Sequence, residues 1–200
     1  VLLGLTIGMA NALLAVGLVL IYMSNRVVNF AHGEIGAFAV ALMLTFTQVL
    51  DWAYWPALLA SLAGTALLAA AIERTVIQRL FRSPRLIVLI ATVGVAQVVT
   101  VGRLVLPKPK NGDDAVFAGG GTSFPVPFSE PSFEFGRVII GPQHLMVLVV
   151  GPLAVLGVVL FLRRSVYGIA MRASAENSAR AQLLGIPVRR VSTLAWVIGG

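Results

Sequence analysis

Cysteine is absent from this chain of 200 residues, and charged side chains make up only 12% of it. The first absence excludes a disulfide framework, thiolate zinc sites, iron–sulfur clusters and a cysteine nucleophile. The two lysines, Lys108 and Lys110, fall in a loop that the topology below places outside, so no P-loop holds ATP in this chain. The two histidines, His32 and His144, are placed at opposite membrane faces. We therefore expect no catalytic residue, no metal site and no cofactor, with an intramembrane hydrolase as the weaker alternative.

The sequence instead contains long apolar runs, and 58% of its residues are hydrophobic. A hydrocarbon core of about 30 Å takes roughly 20 helical residues to cross. Only helices or closed barrels satisfy their backbone groups there, and runs this long without alternation predict helices. The predicted spans are residues 1–23, 27–50, 55–72, 86–106 and 145–162, with a sixth, 191–200, that we expect to continue beyond Gly200.

The net charge of +7 suggests a nucleic-acid binder until the basic residues are located. Eleven of the fifteen lie at Arg26, between residues 74 and 85, or between residues 163 and 190. Basic residues in short loops mark the cytoplasmic side of a membrane protein. The loop 107–142 carries a net negative charge and falls outside by alternation, with residue 1 also outside. The distribution of the basic residues therefore indicates how the chain is oriented in a lipid bilayer, and we expect no nucleic acid as a partner.

The outside loop 107–142 contains two short β-type segments, 133–135 and 138–140, separated by Gly136 and Arg137. This pattern predicts a short extracytoplasmic β-hairpin with a glycine-first tight turn. The loop is either a surface connector or a docking element for an extracytoplasmic partner, and spacing alone favours neither.

Polar residues at the start of the second span form the most unusual stretch, Asn29 to Glu34. Ionisable groups inside a span are costly and indicate a functional site by default. Counted along a helix from Arg26, Glu34 lies about 12 Å deep. Asn29, His32 and Glu34 are therefore candidates for lining a translocation pathway or gate. The alternative is that they fix helix packing by hydrogen bonds.

Small residues recur at four-residue spacing in the first span, at Gly4, Gly8 and Ala12. Such a stripe lets another helix approach closely. We expect it to pack within the chain, with a subunit interface as the alternative.

The segment 165–187, after the fifth span, is rich in alanine and predicts a helix up to Leu184. Gly185 suits the left-handed position that ends a helix, and Pro187 stops it. The predicted helix lies across the cytoplasmic face, either resting on lipid headgroups or gripped by a cytoplasmic partner.

Three regions carry a family resemblance: residues 4–18, the Asn-Phe-Ala-His-Gly-Glu string with Arg26 before it, and the segment from Gly168 to Ile186. The chain resembles the membrane-spanning permeases of ATP-binding-cassette importers for branched-chain amino acids, a family that includes urea and short-amide importers. The likeness extends along nearly all 200 residues. At the point where importers as a class carry Glu-Ala-Ala and, further on, Gly, this chain keeps Ala181 and Gly185.

The resemblance implies a single transmembrane permease domain, 1–200, in a bacterial inner membrane. Its fold class is an all-α, polytopic transmembrane helical bundle with a cytoplasmic coupling helix. Partners implied are a second permease subunit, two cytoplasmic ATPases and an extracytoplasmic solute-binding protein. The residues implied for ATPase coupling are Gly168, Arg172, Ala173, Glu176, Ala181 and Gly185.

The implied function is transport of branched-chain amino acids by alternating access, with ATP hydrolysis on separate subunits, so the chain itself is not an enzyme. One alternative is a urea or short-amide importer. Another is a secondary transporter with Glu34 as the proton carrier.

Overall fold

The structure is a computed structural model that describes residues 2–81, 83–107, 126–127, 133–135 and 138–200. Helices dominate these ranges, as the apolar runs predict. In chain order the elements are α1 (Leu2–Asn25), α2 (His32–Leu44), α3 (Tyr54–Ile72), α4 (Arg85–Val105), β1 (Phe133–Phe135), β2 (Val138–Ile140), α5 (Pro142–Arg164), α6 (Val166–Glu176), α7 (Ser178–Leu183) and α8 (Val188–Gly199).

Within the described ranges, four helical segments are long and apolar enough to cross a membrane. They correspond to the first, third, fourth and fifth predicted spans. The segments are Gly4–Ser24, Tyr54–Leu80, Arg85–Val105 and His144–Arg164.

The second predicted span differs, because α2 begins at His32 rather than at residue 27. Arg26 has a positive φ of 54°, which ends α1. The side-chain oxygen of Asn29 then accepts a hydrogen bond from the Ala31 N–H at 3.0 Å. Asparagine side chains compete in this way with helical backbone hydrogen bonds. α2 continues as a π-helix over Thr45–Val49, and its passage through the membrane stays a prediction.

α3 extends beyond the predicted end at residue 72 as a π-helix over Glu73–Ile77 and a 3-10 turn over Gln78–Leu80. The Thr75 hydroxyl donates to the Ala71 carbonyl oxygen at 2.7 Å. Side-chain bonds of this kind accompany local distortion of a helix. The arginines expected in an inside loop from residue 74 therefore begin on helical backbone.

The segment 165–187 contains two helices rather than the one predicted up to Leu184. α6 ends at Glu176, and Asn177, whose backbone is extended with φ −153°, separates it from α7. The Asn177 side chain accepts a hydrogen bond from the Arg180 N–H at 3.0 Å and so caps α7. Gly185 has φ 82°, the predicted left-handed conformation, and α8 begins at Val188, before the predicted residue 191.

β1 and β2 pair antiparallel, with Phe133 opposite Ile140 and Phe135 opposite Val138. The turn predicted at Gly136 and Arg137 lies outside the described residues, as does most of the loop 107–142. The hairpin turn and the extracytoplasmic position of the loop therefore stay predictions.

The most extensively packed pairs of long helices are α5 with α1, α1 with α8, α8 with α3, α3 with α2, and α2 with α4. The main apolar core lies around Trp196, Ile21 and Ile35, which are fully buried. A second cluster joins Leu20 of α1 to Met171 of α6 and to α8. α8 therefore contacts α1 as well as α3.

α1 and α8 approach most closely at Gly17 and Gly199. A Cβ atom on Gly17 would stand 2.6 Å from the Gly199 carbonyl oxygen, and one on Gly199 would stand 2.8 Å from the Gly17 carbonyl oxygen. Real Cβ atoms do not approach oxygen this closely, so both positions require glycine for backbone contact. Nothing in the described chain lies within 4 Å of such an atom on Gly4 or Gly8, and Ala12 is exposed. The packing role expected for that stripe stays a prediction.

Replacing Gly17 by alanine is expected to destabilise the bundle by about 1–3 kcal/mol, because the new methyl group forces α1 away from α8. Thermal unfolding in detergent measures this as a lowered Tm. Gly8→Ala is the matched control, since it adds the same methyl group to α1 in open space and improves helix propensity. Equal Tm values for the two variants would contradict the role of Gly17.

Candidate functional site

The turn between α1 and α2 is held by Asn29, which is only 2% exposed. Besides its side-chain bond to Ala31, its carbonyl oxygen accepts from the His32 N–H at 3.3 Å. The Phe30 N–H donates to the Thr92 hydroxyl of α4 at 3.3 Å. The candidate pathway residue Asn29 therefore shapes this turn, and Phe30 ties the turn to α4.

His32, the first residue of α2, faces α1. Its Nε2 lies 3.0 Å from the Leu14 carbonyl oxygen, and its ring covers Gly17. A carbonyl oxygen only accepts, so Nε2 carries the hydrogen in this bond. His32 Nδ1 has no hydrogen-bond partner in the described part of the chain. The imidazole is therefore positioned by α1 and not by Glu34.

Glu34 faces α4, where its carboxylate lies 3.6 Å from the Arg103 guanidinium. At that distance the two groups form an ion pair but not a hydrogen bond. The Arg103 side chain is 16% exposed and the Glu34 side chain 36%. His32 and Glu34 do not pair with each other, since their side chains contact different helices.

Arg103 was not predicted from the sequence as the partner of Glu34. Two hydrogen bonds now show the register of the two helices: Phe30 to Thr92 near one end, and Thr45 to the Pro107 carbonyl oxygen near the other. α2 and α4 therefore run parallel. In this register Arg103 lies about 10 Å further along than Glu34, and its side chain points back toward the N-terminus of α4. The sequence feature that could have indicated this pairing is an arginine near the end of an apolar run.

A buried carboxylate lies where α3 meets α8. It was not predicted from the sequence as a site residue. Glu73 is completely buried and accepts three hydrogen bonds. The Ser192 hydroxyl donates to one oxygen at 2.7 Å. The Thr193 hydroxyl and the Gln78 amide donate to the other at 2.7 and 2.8 Å. In the sequence, this contact was indicated only by an acidic residue at the end of one apolar run and two hydroxyl side chains in the last apolar run.

The segment 165–187 is anchored to the bundle through α6. The Ser165 side chain accepts from the Gly168 N–H at 2.9 Å and caps the helix. A Cβ atom on Gly168 would stand 2.3 Å from the Phe161 carbonyl oxygen, so this position requires glycine. Gly168 therefore lets α6 turn sharply away from α5.

Arg26 connects the start of the Asn29–Glu34 turn to the end of α6. Its guanidinium donates to the Ala175 and Glu176 carbonyl oxygens. Cationic donors at the C-terminus of a helix stabilise its unpaired carbonyl groups. Arg26 thus joins the turn before α2 to the segment 165–187 by hydrogen bonds.

The candidate coupling residues divide into exposed and buried sets. Arg172, Glu176 and Gly185 are exposed, Ala173 is half-buried, and Gly168 and Ala181 are buried. At the end of α7, Leu183 and Leu184 are 88% and 81% exposed. Two adjacent leucines so exposed on a short helix end form a small apolar projection.

A cavity of about 490 Å³ lies beside His32 between α1, α3, α5 and α8. We call it the apolar cavity, because aliphatic side chains such as Leu13, Leu62 and Val158 form most of its wall. Thr65 and His32 supply its polar side chains. Glu34 and Asn29 do not line it.

Across the described ranges, no three His, Cys, Asp or Glu side chains come together in a group that could hold a metal ion.

The whole chain, residues 1–200, matches the family described as branched-chain amino acid transport system / permease component. The high-affinity branched-chain amino acid permease protein BraD of Pseudomonas aeruginosa is 30% identical, over 98% of this chain and 64% of the relative. The corresponding LivH protein of Escherichia coli K12 is 31% identical over the same shares. A probable LivH protein of Methanocaldococcus jannaschii is 26% identical, over 94% of this chain and 58% of the relative.

The chain thus spans about 64% of the length of the bacterial relatives compared here. No solved structure matches it.

Removing one member of the Glu34–Arg103 pair is expected to cost more stability than removing both. Arg103→Leu leaves a carboxylate unpaired at membrane depth, whereas Glu34→Gln with Arg103→Leu leaves no charge. We expect a coupling energy of about 1–3 kcal/mol. Tm values of the two single variants and the double variant in detergent measure it. Strict additivity would mean that the pair does not interact.

Glu73→Ala is expected to lower stability by about 2–4 kcal/mol, because Ser192, Thr193 and Gln78 lose their shared acceptor in a buried site. Glu73→Gln retains one acceptor oxygen and is expected to cost less. Glu176→Ala removes an exposed glutamate and serves as the control in the same thermal unfolding experiment. An equal loss in Glu73→Ala and Glu176→Ala would refute the bonding described for Glu73.

Proposed function

The chain belongs to the branched-chain amino acid transport permease family, and on that premise we propose that it is a permease subunit of an ATP-binding-cassette importer. We propose that the importer moves branched-chain amino acids across the bacterial inner membrane by alternating access. The observation that carries this proposal is the family match over residues 1–200, which includes both the Asn29–Glu34 turn and the segment 165–187. Helices able to cross a membrane several times support it.

The apolar cavity supports a substrate with an aliphatic side chain. Its volume of about 490 Å³ and its leucine and valine walls suit a branched hydrocarbon group, whose burial is favourable. Urea and short amides would leave such walls without a matching surface. His32 is the candidate pathway residue at this cavity. Asn29 shapes the turn beside it, and Glu34 with Arg103 is the candidate gate.

Coupling to ATP hydrolysis is proposed for the segment 165–187. Arg172, Glu176 and Gly185 are exposed there, and Leu183 and Leu184 project from it, so a cytoplasmic partner can contact them. Gly168, Ala173 and Ala181 would keep α6 and α7 packed on the bundle. The proposed partners are two ATPase subunits, a second permease subunit and an extracytoplasmic solute-binding protein.

In the proposed cycle, closure of the ATPase dimer pushes on α6 and α7. The Arg26 bonds to Ala175 and Glu176 pass that movement to the end of α1, and α8 follows because it continues from Gly185. Access to the pathway would then change from one membrane face to the other.

Transport into vesicles that hold the full-length permease with its partner subunits tests this function. We expect leucine uptake that requires ATP on the cytoplasmic side and binding protein on the other. Collapse of uptake by an uncoupler, without any need for ATP, would favour a proton-driven transporter using Glu34. Uptake of urea or acetamide in place of leucine would favour the amide importer.

Arg172→Glu and Gly185→Pro are expected to reduce binding-protein-stimulated ATP hydrolysis by about 5- to 150-fold, the usual range of coupling between distant sites. Proline cannot adopt the positive φ of Gly185, and glutamate reverses an exposed charge on α6. Arg164→Glu, at the exposed end of α5, is the matched control. Membrane insertion is expected to stay normal in all three variants, and unchanged stimulation in the first two would contradict the coupling role.

A further inference from the structure

A second cavity, of about 870 Å³, lies at the predicted cytoplasmic end of the bundle. We call it the basic cavity. The ends of α1 and α3, the start of α4 and the segment leading into α8 surround it. Its basic lining residues are Arg26, Arg85, Arg189 and Arg190. No aspartate or glutamate is among the described residues that line it, so its charge is strongly positive.

Two helix N-termini add to this positive charge. α4 begins at Arg85 after Pro84, and α8 begins at Val188 after Pro187. Proline side chains accept no hydrogen bonds, and neither helix has a side-chain cap. The N-terminus of a helix carries a partial positive charge and free N–H groups, which favour phosphate.

Ser174 lines the same cavity and is 3% exposed. Its hydroxyl has no hydrogen-bond partner in the part of the chain that the structure describes. Buried hydroxyl groups without partners are uncommon and need an explanation. A bound acceptor oxygen would provide one.

Part of the lining of the basic cavity is apolar. Ile77, Leu80, Phe81 and Val88 supply it, at the junction of α3 and α4. The cavity therefore offers basic side chains that suit a phosphate group and apolar side chains that suit a hydrocarbon chain. Free inorganic phosphate would use only the basic side chains.

We propose that the basic cavity binds the phosphate group of an anionic phospholipid from the cytoplasmic leaflet. Arginine guanidinium groups bind phosphate through paired, charge-assisted hydrogen bonds. Basic pockets between membrane helices on this side are suited to lipid headgroups. Bound lipid would bridge α4 to α8, because Arg85 and Arg189 belong to different helices.

The test compares phosphatidylglycerol, phosphatidylcholine and inorganic phosphate as ligands of the purified full-length protein. Native mass spectrometry counts bound lipid, and Tm in mixed micelles measures stabilisation. We expect saturable binding of phosphatidylglycerol, little binding of phosphatidylcholine and weak stabilisation by phosphate. Equal stabilisation by phosphate alone would assign the site to free phosphate and overturn the lipid.

Arg189→Gln with Arg190→Gln is expected to weaken phosphatidylglycerol binding about 25-fold, at roughly 5-fold for each arginine removed. Arg163→Gln with Arg164→Gln is the matched control, because this exposed pair ends α5 and does not line the cavity. Equal weakening by both double variants would show general surface attraction and overturn the proposal.

A second variant, Gln182→Glu, tests the same cavity with a substitution that is expected to leave folding intact. Gln182 lines the cavity and is exposed, so the substitution adds negative charge without disturbing packing. We expect its Tm in phosphatidylcholine to match that of the unaltered protein, and its phosphatidylglycerol binding to fall by about 5-fold or more. Undiminished binding in this variant would overturn the proposal. These binding tests require no transport, so their failure is separate from failure of the proposed function.

Discussion

Backbone contact between α1 and α8 at Gly17 and Gly199 is the constraint on which the rest of the structure depends. It allows the His32 ring to cover Gly17 and reach the Leu14 carbonyl oxygen, which fixes the start of α2. Because α8 lies against α1, its other side meets α3, where Ser192 and Thr193 bond to Glu73. A bulkier residue at either glycine would move all of these contacts together.

Several polar contacts in this bundle join helices that are not consecutive in the chain. Glu73 joins α3 to α8, Glu34 and Arg103 join α2 to α4, and Arg26 joins the end of α1 to α6. In hydrocarbon no water replaces a broken hydrogen bond, and helices lose little apolar contact on separating into lipid. Such polar joints therefore specify which helices are neighbours, while apolar surface specifies only that they lie in a membrane.

Composition and run length predicted the helical class and the first, third, fourth and fifth spans, because both depend on local sequence. Gly185 was predictable for the same reason, since the need for a left-handed residue at the end of a helix is local. The late start of α2 and the break at Asn177 could not be predicted from local sequence. At each of them an asparagine side chain competes with the hydrogen bonds of a continuous helix. The pairing of Arg103 with Glu34 needs the register of α2 against α4, which one sequence does not contain.

Movement of α6 and α7 cannot be independent of the bundle. Gly168 holds the start of α6 against the Phe161 backbone, and Arg26 holds its end, so α6 moves with both α5 and α1. Asn177 and Gly185, at the two ends of α7, have non-helical backbones that allow α7 to change direction without unfolding α6 or α8. A force on Leu183 and Leu184 therefore reaches α8 through Gly185. It then divides at Glu73 and Gly199, so that α3 and α1 respond together, and α4 follows through its contacts with α2 and with the end of α3.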